Sequence, residues 1–184
     1  MTHFTLHTEE TAPDESKPMI AASKKQNGFL PGLHATMAEA PGLFAAYSFV
    51  HEQFMNSRFD NDEKTVVWQA INVEHSCHYC VPAHTGIAKM MKVDDAITEA
   101  LRNETPLPSD KLEALRTFTL IAVRERGVVT EAQMQAFLNA GYTQRHVLEV
   151  ILGLAQKVMS NFTNHVAHTP VDAPFQAFEW HKKA

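Results

Sequence analysis

The sequence predicts an all-α protein of about seven to eight helices, and three observations support this class. From Leu33 onward, apolar residues recur every three or four positions, as they do on the buried face of an amphipathic helix. No segment alternates apolar and polar residues between paired turn signals, which is the pattern of a β-strand. Residues that cap helix starts, such as Asp, Ser and Thr, precede several of the apolar runs.

The composition indicates a globular protein with its own core. The chain has 184 residues, 45% of them hydrophobic and 20% charged, which is ordinary globular usage. The net charge of −5 argues against nucleic-acid binding, which depends on a basic excess. No apolar run approaches the ~20 residues of a membrane span, and the N-terminus lacks signal-peptide features. We therefore expect a cytoplasmic protein without nucleic-acid or membrane partners.

The chain is expected to contain an arm and one domain. Residues 1 to 28 are predicted to form a polar N-terminal arm, because the segment from Thr8 to Asn27 shows no sustained apolar period. Such a segment contributes no core element and is ordered only where it lies against a neighbouring surface. Residues 29 to 184 are predicted to form a single helical domain.

The helices of the first half lead to one motif. Helical spacing runs over residues 33 to 54, with a break at Pro41-Gly42. A second helix is predicted after Asp60, where acidic residues favour a helix N-terminus, and it continues to the cysteines. A further helix is predicted to begin within residues 77 to 81, because Pro82 fits only the first turn of a helix.

The second half contains four more helix starts, at Asp94, Ser109, Thr130 and Thr143. Thr130 is followed three residues later by Gln133, which is the pattern of a capping box. A last short helix is predicted over residues 172 to 180. The helices after Ser109 and Thr143 carry more apolar surface than one small bundle covers, so self-association through a helical face is expected.

The two cysteines of the chain, Cys77 and Cys80, are separated by two residues, and His84 follows four positions after Cys80. In a reducing cytosol, cysteines at this spacing are redox-active or metal-binding rather than a structural cross-link. A helix places Cys80 and His84 on one face. The two thiols can cycle through a Cys77–Cys80 disulfide, with His84 as the acid or base and no cofactor required. Other acid or base candidates close to the motif are Glu74, His75 and His78.

The motif Cys77-x-x-Cys80-x-x-x-His84 resembles the signature of the alkyl hydroperoxidase D-like (AhpD-like) branch of the carboxymuconolactone decarboxylase family. The resemblance extends over roughly residues 30 to 178. It implies an all-helical fold that assembles as trimers or hexamers, and a CxxC-dependent peroxidase or disulfide-reductase activity in antioxidant defence. It also implies that Cys80 attacks the peroxide, that Cys77 resolves the intermediate, and that His84 belongs to the proton relay.

Two positions depart from the pattern of that family. The relay glutamate that the family has about three turns before the first cysteine corresponds to a position near Thr65. Glu63 is adjacent to it but is expected on another face of the helix. The histidine that the family has before the second cysteine is Tyr79 here. Glu74 and His78 are the candidates to replace the relay.

The sequence thus predicts an oxidoreductase that reduces organic hydroperoxides or the disulfide of a partner protein and is reset by an external thiol donor. One alternative is lactone decarboxylation, the reaction that gave the family its name and that does not depend on the CxxC pair. The other is a non-enzymatic zinc-binding module with Cys77, Cys80 and His84 as ligands. Against zinc, the sequence contains no second Cys/His cluster.

Overall fold

The computed structural model describes residues 4 to 182, which form nine α-helices and two short 3₁₀ helices and contain no β-strand. The α-helices are α1 (Lys17–Asn27), α2 (Gly32–Met37), α3 (Pro41–Met55), α4 (Asn61–Glu74), α5 (Cys80–Met90), α6 (Asp95–Asn103), α7 (Asp110–Arg124), α8 (Glu131–Asn139) and α9 (Gln144–Ala167). The 3₁₀ helices are Asp14–Ser16 and Ala173–Phe178. The predicted all-α class is therefore confirmed. Over the same residues, no helix has the length and apolar character needed to cross a membrane.

Side-chain caps fix the helix starts that the sequence predicted. Asp60 accepts a hydrogen bond from the backbone amide of Glu63, whose side chain accepts one from the amide of Asp60. Thr130 and Gln133 form the same reciprocal pair before α8. Ser109 accepts a bond from an amide in the first turn of α7. These bonds satisfy amides that have no partner within their helix, so local sequence alone located the starts.

Helix α4 is the centre of the fold. All of its residues from Glu63 to Val73 are buried, because α5, α6, α7 and α9 pack around it. A helix enclosed on several sides also turns polar residues towards the interior, and Gln69 and Asn72 have no exposed surface. Helix α9 packs against α3 as well as against α4. Polar groups of α4 and α9 therefore lie inside the protein, next to the start of α5.

The buried apolar residues form two main clusters. The larger one fills the space between α3, α4, α6, α7, α8 and α9, and its large members include Phe54, Trp68, Leu115 and Phe137. The second cluster surrounds the cysteines with residues of the N-terminal third of the chain. Its members are Ala12, Ile20, Leu33, Met37, Ala38, Phe44, Tyr47, Cys77, Tyr79, Cys80 and Ala83.

The N-terminal segment differs from the expected arm, because part of it belongs to the core. Helix α1 buries Ile20 completely in the second cluster. The hydroxyl of Ser16 donates a hydrogen bond to the carbonyl of Ala38 at 2.7 Å, which ties the start of α1 to the end of α2. The sequence pattern missed this helix because one large buried residue is not enough to produce an apolar period.

Apolar residues also remain on the outside of α9. Leu148, Ile151, Phe162 and Val166 are each more than half exposed. Their spacing places them along the helix away from its buried face. Self-association through a helical face remains a prediction. The exposed apolar face of α9 is the surface at which it would be tested.

Gly153 lies where α9 packs tightly against α3 and α4. A Cβ atom at this position would lie 2.7 Å from Phe54 Cε2 and 2.8 Å from Val67 Cγ1, and both neighbours are fully buried. We therefore expect Gly153→Ala to lower the free energy of unfolding by about 1–3 kcal/mol, as other overpacked cores do. Gly42→Ala is the matched control, since a Cβ there meets nothing within 4 Å. Urea unfolding of both variants checks this, and equal stabilities would contradict it.

Candidate functional site

The two cysteines lie at the junction of α4 and α5. Ser76 adopts a left-handed conformation with φ of 55°, which reverses the chain after α4. The amide of Cys77 then donates to the carbonyl of Asn72 at 2.9 Å. Cys80 is the first residue of α5, inside the range predicted for its start. The turn therefore holds Cys77 just ahead of the helix that carries Cys80.

Both thiols are free and buried, with exposed fractions of 0% for Cys77 and 2% for Cys80. The amide of Cys80 donates to Cys77 Sγ at 3.3 Å, and Asn164 Nδ2 donates to Cys80 Sγ at 3.3 Å. The hydrogen bond of Cys77 to Cys80 and burial raise the pKa of Cys77, so this residue stays a thiol.

Cys80 has the opposite tendency. Burial alone would raise its pKa, but the bond from Cys77, the positive charge of Lys157 and the amides of Asn164 and Asn161 more than offset burial. Together they lower the pKa of Cys80 to about 6. These effects favour the thiolate on Cys80, with Cys77 as its hydrogen-bond donor.

Lys157 is the site residue that the sequence analysis missed. It lies on α9 with no exposed surface, and its Nζ is 2.7 Å from His84 Nε2. Burial, with the charge of Lys157 and the ring of His51 acting in the same direction, holds the pKa of His84 well below its usual range. His84 is thus neutral and accepts the hydrogen bond of Lys157. The sequence predicted His84 beside the thiols, and in the structure its ring forms a buried hydrogen-bonded pair with Lys157.

Buried amides connect the site to three helices. Asn72 Nδ2 donates to Gln69 Oε1, and Asn161 Nδ2 donates to Asn72 Oδ1, both at 3.0 Å. Gln69 Nε2 donates to the carbonyl of Val81 at 3.1 Å. Because each amide of this chain is fixed by the next, the donor of Asn161 is held in place beside Cys80.

A row of aromatic rings leads from the N-terminal helices to His84. Successive ring centroids are 5.6 Å apart for His34 and Tyr47, 6.2 Å for Tyr47 and His51, 6.0 Å for His51 and Trp68, and 4.8 Å for Trp68 and His84. Burial is the main cause that lowers the pKa of His34 and of His51 to about 4. This ring row is therefore uncharged at neutral pH.

Two relay candidates close to the cysteines in sequence, Glu74 and His78, have other partners. The carboxylate of Glu74 accepts two hydrogen bonds from Arg124, at 2.8 and 2.7 Å, and the bond to Arg124 lowers its pKa. His78 Nε2 lies 3.0 Å from the carbonyl of Thr169. Glu74 is the last residue of α4 and lies on the side that faces α7. A carboxylate held by an arginine in this way is a poor proton carrier. His75 Nδ1, in contrast, lies 2.9 Å from Asn161 Oδ1 and so contacts the amide chain.

The two departures from the family pattern have structural explanations. Thr65 donates to the carbonyl of Asn61, and Glu63 pairs with Lys111 at 2.8 Å, so neither supplies an acid to the thiols. The hydroxyl of Tyr79 donates to Asp172, and burial together with that carboxylate raises its pKa. Tyr79 therefore ties the segment after α9 to the cysteine motif rather than carrying protons.

Zinc binding by Cys77, Cys80 and His84 stays an alternative prediction. Across residues 4 to 182, no group of three or more His, Cys, Asp or Glu side chains is arranged to hold a metal ion. The Nε2 atom of His84 is engaged with the ammonium group of Lys157, a cation that a metal ion would have to displace. This arrangement suits an anionic sulfur rather than a bound cation.

A sequence signal for the missed residues does exist. Lys157, Asn161 and Asn164 follow one another by four and three positions, on the same face of α9 as the buried Val150 and Gly153. Polar residues that repeat on the buried face of an otherwise apolar helix indicate an interior polar site.

Solved structures share this fold across nearly the whole chain. An AhpD-core, peroxidase-related protein from Ralstonia eutropha JMP134 matches with a TM-score of 0.83 at 20% identity, covering 95% of this chain and 96% of that one. A peroxidase-related protein from Silicibacter sp. TM1040 matches with a TM-score of 0.78 at 16% identity, covering 95% of each chain. A variant of the debrominase Bmp8, in complex with 2,3,4-tribromopyrrole, matches with a TM-score of 0.77 at 17% identity, covering 96% of this chain and 95% of that one.

No protein-family model and no curated protein sequence matches the chain. The solved structures nevertheless agree with it in helix arrangement over almost their full lengths. Since this agreement holds at 16–20% identity, it establishes the architecture rather than the activity. The chain has the AhpD-like helical fold that its cysteine motif led us to expect.

Proposed function

We propose that this protein is a CxxC-dependent thiol oxidoreductase that reduces organic hydroperoxides, with Cys80 as the attacking thiolate and Cys77 as the resolving thiol. The asymmetry between the two sulfurs carries the proposal. Cys80 accepts hydrogen bonds and lies in the field of Lys157, whereas Cys77 stays protonated. A thiol peroxidase needs this division, because the nucleophile must be a thiolate and its partner must wait for the oxidised sulfur.

The proposed cycle has two steps. The Cys80 thiolate attacks the terminal oxygen of the hydroperoxide, the O–O bond breaks, and the products are a sulfenic acid on Cys80 and an alkoxide that is protonated to the alcohol. Cys77 then attacks the Cys80 sulfur, the S–O bond breaks, and the thiol proton leaves with the hydroxide as water. The resulting disulfide is reduced by two electrons from an external dithiol.

The surroundings of the thiols favour a small, apolar oxidant. Leu33, Met37 and Phe44 pack in the same buried cluster as both cysteines, and these side chains suit an organic substituent. The sulfurs have almost no exposed surface, so a peroxide reaches them far more readily than the disulfide of a folded partner protein. The peroxidase-related descriptions of two similar structures support the same choice.

Reductive dehalogenation is a second candidate, favoured by the likeness to the debrominase Bmp8. The same thiolate would attack the bromine of a brominated arene and form a sulfur–bromine bond. The carbon that loses the bromine takes up a proton. Cys77 would then displace bromide from Cys80 and form the disulfide. The two reactions use the same sulfurs and differ in the oxidant.

Counting free thiols before and after one equivalent of cumene hydroperoxide tests the proposal. We expect wild type to lose both thiols and two mass units as the disulfide forms. Cys77→Ser should lose its single thiol as a sulfenic acid, whereas Cys80→Ser should keep its thiol and consume no peroxide. A parallel incubation with 2,3,4-tribromopyrrole identifies the second candidate by bromide release. Wild-type thiols that survive the hydroperoxide, or a Cys80→Ser variant as active as wild type, would rule the peroxidase out.

A further inference from the structure

We propose that Lys157 is the acid that protonates the alkoxide leaving from the hydroperoxide. The inference rests on the proposed peroxidase reaction and assigns its proton donor. Two of the residues from which sequence proximity suggested a donor are fixed elsewhere, Glu74 on Arg124 and His78 on the carbonyl of Thr169. Neither of these two residues supplies the proton, and the buried Lys157 is the candidate acid that remains.

Lys157 has the Cys80 thiolate as its counter-charge. Its side chain is completely buried, and its Nζ is oriented by the 2.7 Å bond to His84 Nε2. The sulfur of Cys80 supplies the negative charge that acts on it, and no ion pair among residues 4 to 182 joins it to a carboxylate. A fully buried ammonium group without a carboxylate partner depends on the anionic sulfur for its counter-charge.

The reaction removes that anion. Once the Cys80 thiolate becomes a sulfenic acid, the ammonium of Lys157 would be left buried without a counter-charge. Leaving one member of a buried ion pair uncompensated costs several kcal/mol. If Lys157 gives up its proton as the O–O bond breaks, both buried charges disappear together. Burial would destabilise an ammonium that remained after the thiolate is lost, and it therefore favours transfer of the proton from Lys157 to the alkoxide.

The balance of the step is complete. Cys80–S⁻, RO–OH and Lys157–NH₃⁺ give Cys80–S–OH, RO–H and Lys157–NH₂. The sulfur is oxidised by two electrons, the O–O bond is reduced by two, and the proton moves from Nζ to the alkoxide oxygen. In the second step the hydroxide leaves with the proton of Cys77. When the external dithiol reduces the disulfide, one of its two thiol protons is taken up by Cys77 and the other restores the ammonium of Lys157.

The other titratable groups around Lys157 are poorer acids for this step. They are His84 on α5, His51 on α3 and the thiol of Cys77. Both imidazoles are neutral, and the pKa of Cys77 is raised, so none of the three gives up a proton readily at neutral pH. Burial lowers the pKa of Lys157 from its usual value and so makes its ammonium a stronger acid. His84 is then a positioning residue, because it holds Nζ through Nε2.

A comparison of leaving groups tests this assignment. Cumene hydroperoxide expels an alkoxide that needs a proton, whereas 3-chloroperbenzoic acid expels a carboxylate that does not. The ratio of the two rate constants within one variant is independent of its thiolate fraction. For Lys157→Met we expect the ratio of peracid rate to hydroperoxide rate to rise about 10²–10⁴-fold over wild type, the usual range of general acid catalysis.

Two further variants separate the explanations. Lys157→Arg keeps the charge but is a very weak acid, so it should also raise the ratio. Lys111→Met removes an outer lysine that pairs with Glu63 and should leave the ratio unchanged. An unchanged ratio in Lys157→Met, with both oxidants slowed equally, would overturn the inference, because Lys157 would then only stabilise the thiolate. A wild type that reacts with neither oxidant would instead refute the peroxidase function itself. Circular dichroism verifies folding, and Met is an apolar isostere suited to a buried position.

Discussion

Acidification from pH 6.5 to pH 4 is expected to lower the free energy of unfolding by about 6 kcal/mol through two histidines of the ring row. Burial lowers the pKa of His34 and of His51 from 6.5 to about 4. Between these values the unfolded chain binds a proton at each histidine and the folded chain does not. Their contribution to stability is therefore complete above pH 6.5 and is lost as the pH falls to 4, at about 3 kcal/mol for each histidine.

Urea unfolding at half-unit steps between pH 7 and pH 4 measures this loss. The double variant His34→Phe/His51→Phe keeps aromatic rings in the row and should lose most of the pH dependence in this window. His181→Gln is the matched control, because His181 is exposed and should leave the wild-type slope intact. If the double variant and wild type lose stability equally between pH 6.5 and pH 4, the two histidines are not held neutral by the fold.

The fold was accessible from the sequence because its signals are local. A cap such as Asp60 with Glu63, or Thr130 with Gln133, joins residues three positions apart and needs no tertiary contact. The start of α5 near Cys80 followed in the same way from the position of Pro82. Helix α1 lacked such a signal, since its burial rests on Ile20 against residues of α2 and α3.

The thiols were also found from local spacing, whereas their partners were not. Lys157 is 73 positions from His84, and Asn164 is 84 positions from Cys80, so only the packing of α9 against α4 and α5 brings them together. Proximity in sequence instead suggested Glu74, three positions before Cys77. Its side chain turns towards Arg124 of α7, because the chain reverses at Ser76 and separates the end of α4 from the thiols.

Charge on Lys157 should decide whether Cys80 is a thiolate at neutral pH. With a pKa of about 6, roughly nine-tenths of Cys80 is ionised at pH 7 in wild type. In Lys157→Met the raising effect of burial loses its main charged opponent, and we expect the pKa to exceed the ordinary thiol value of ~8.5. The thiolate fraction at pH 7 would then fall to about 3% or less, which is at least a 30-fold decrease.

Iodoacetamide alkylation of Cys80 across pH 5 to 9, followed by mass spectrometry of the modified peptide, measures this change. Wild type should show a midpoint near pH 6, with alkylation lost as the pH falls through that value because the thiolate takes up a proton. Asn164→Leu removes one hydrogen bond to the sulfur and should shift the midpoint upward by less than Lys157→Met does. A midpoint that stays near pH 6 in Lys157→Met would mean that the hydrogen bonds from Cys77 and from the amides keep Cys80 ionised without Lys157. Because this experiment reports the ground-state charge and the leaving-group ratio reports proton transfer, Lys157 can be tested separately as counter-ion and as acid.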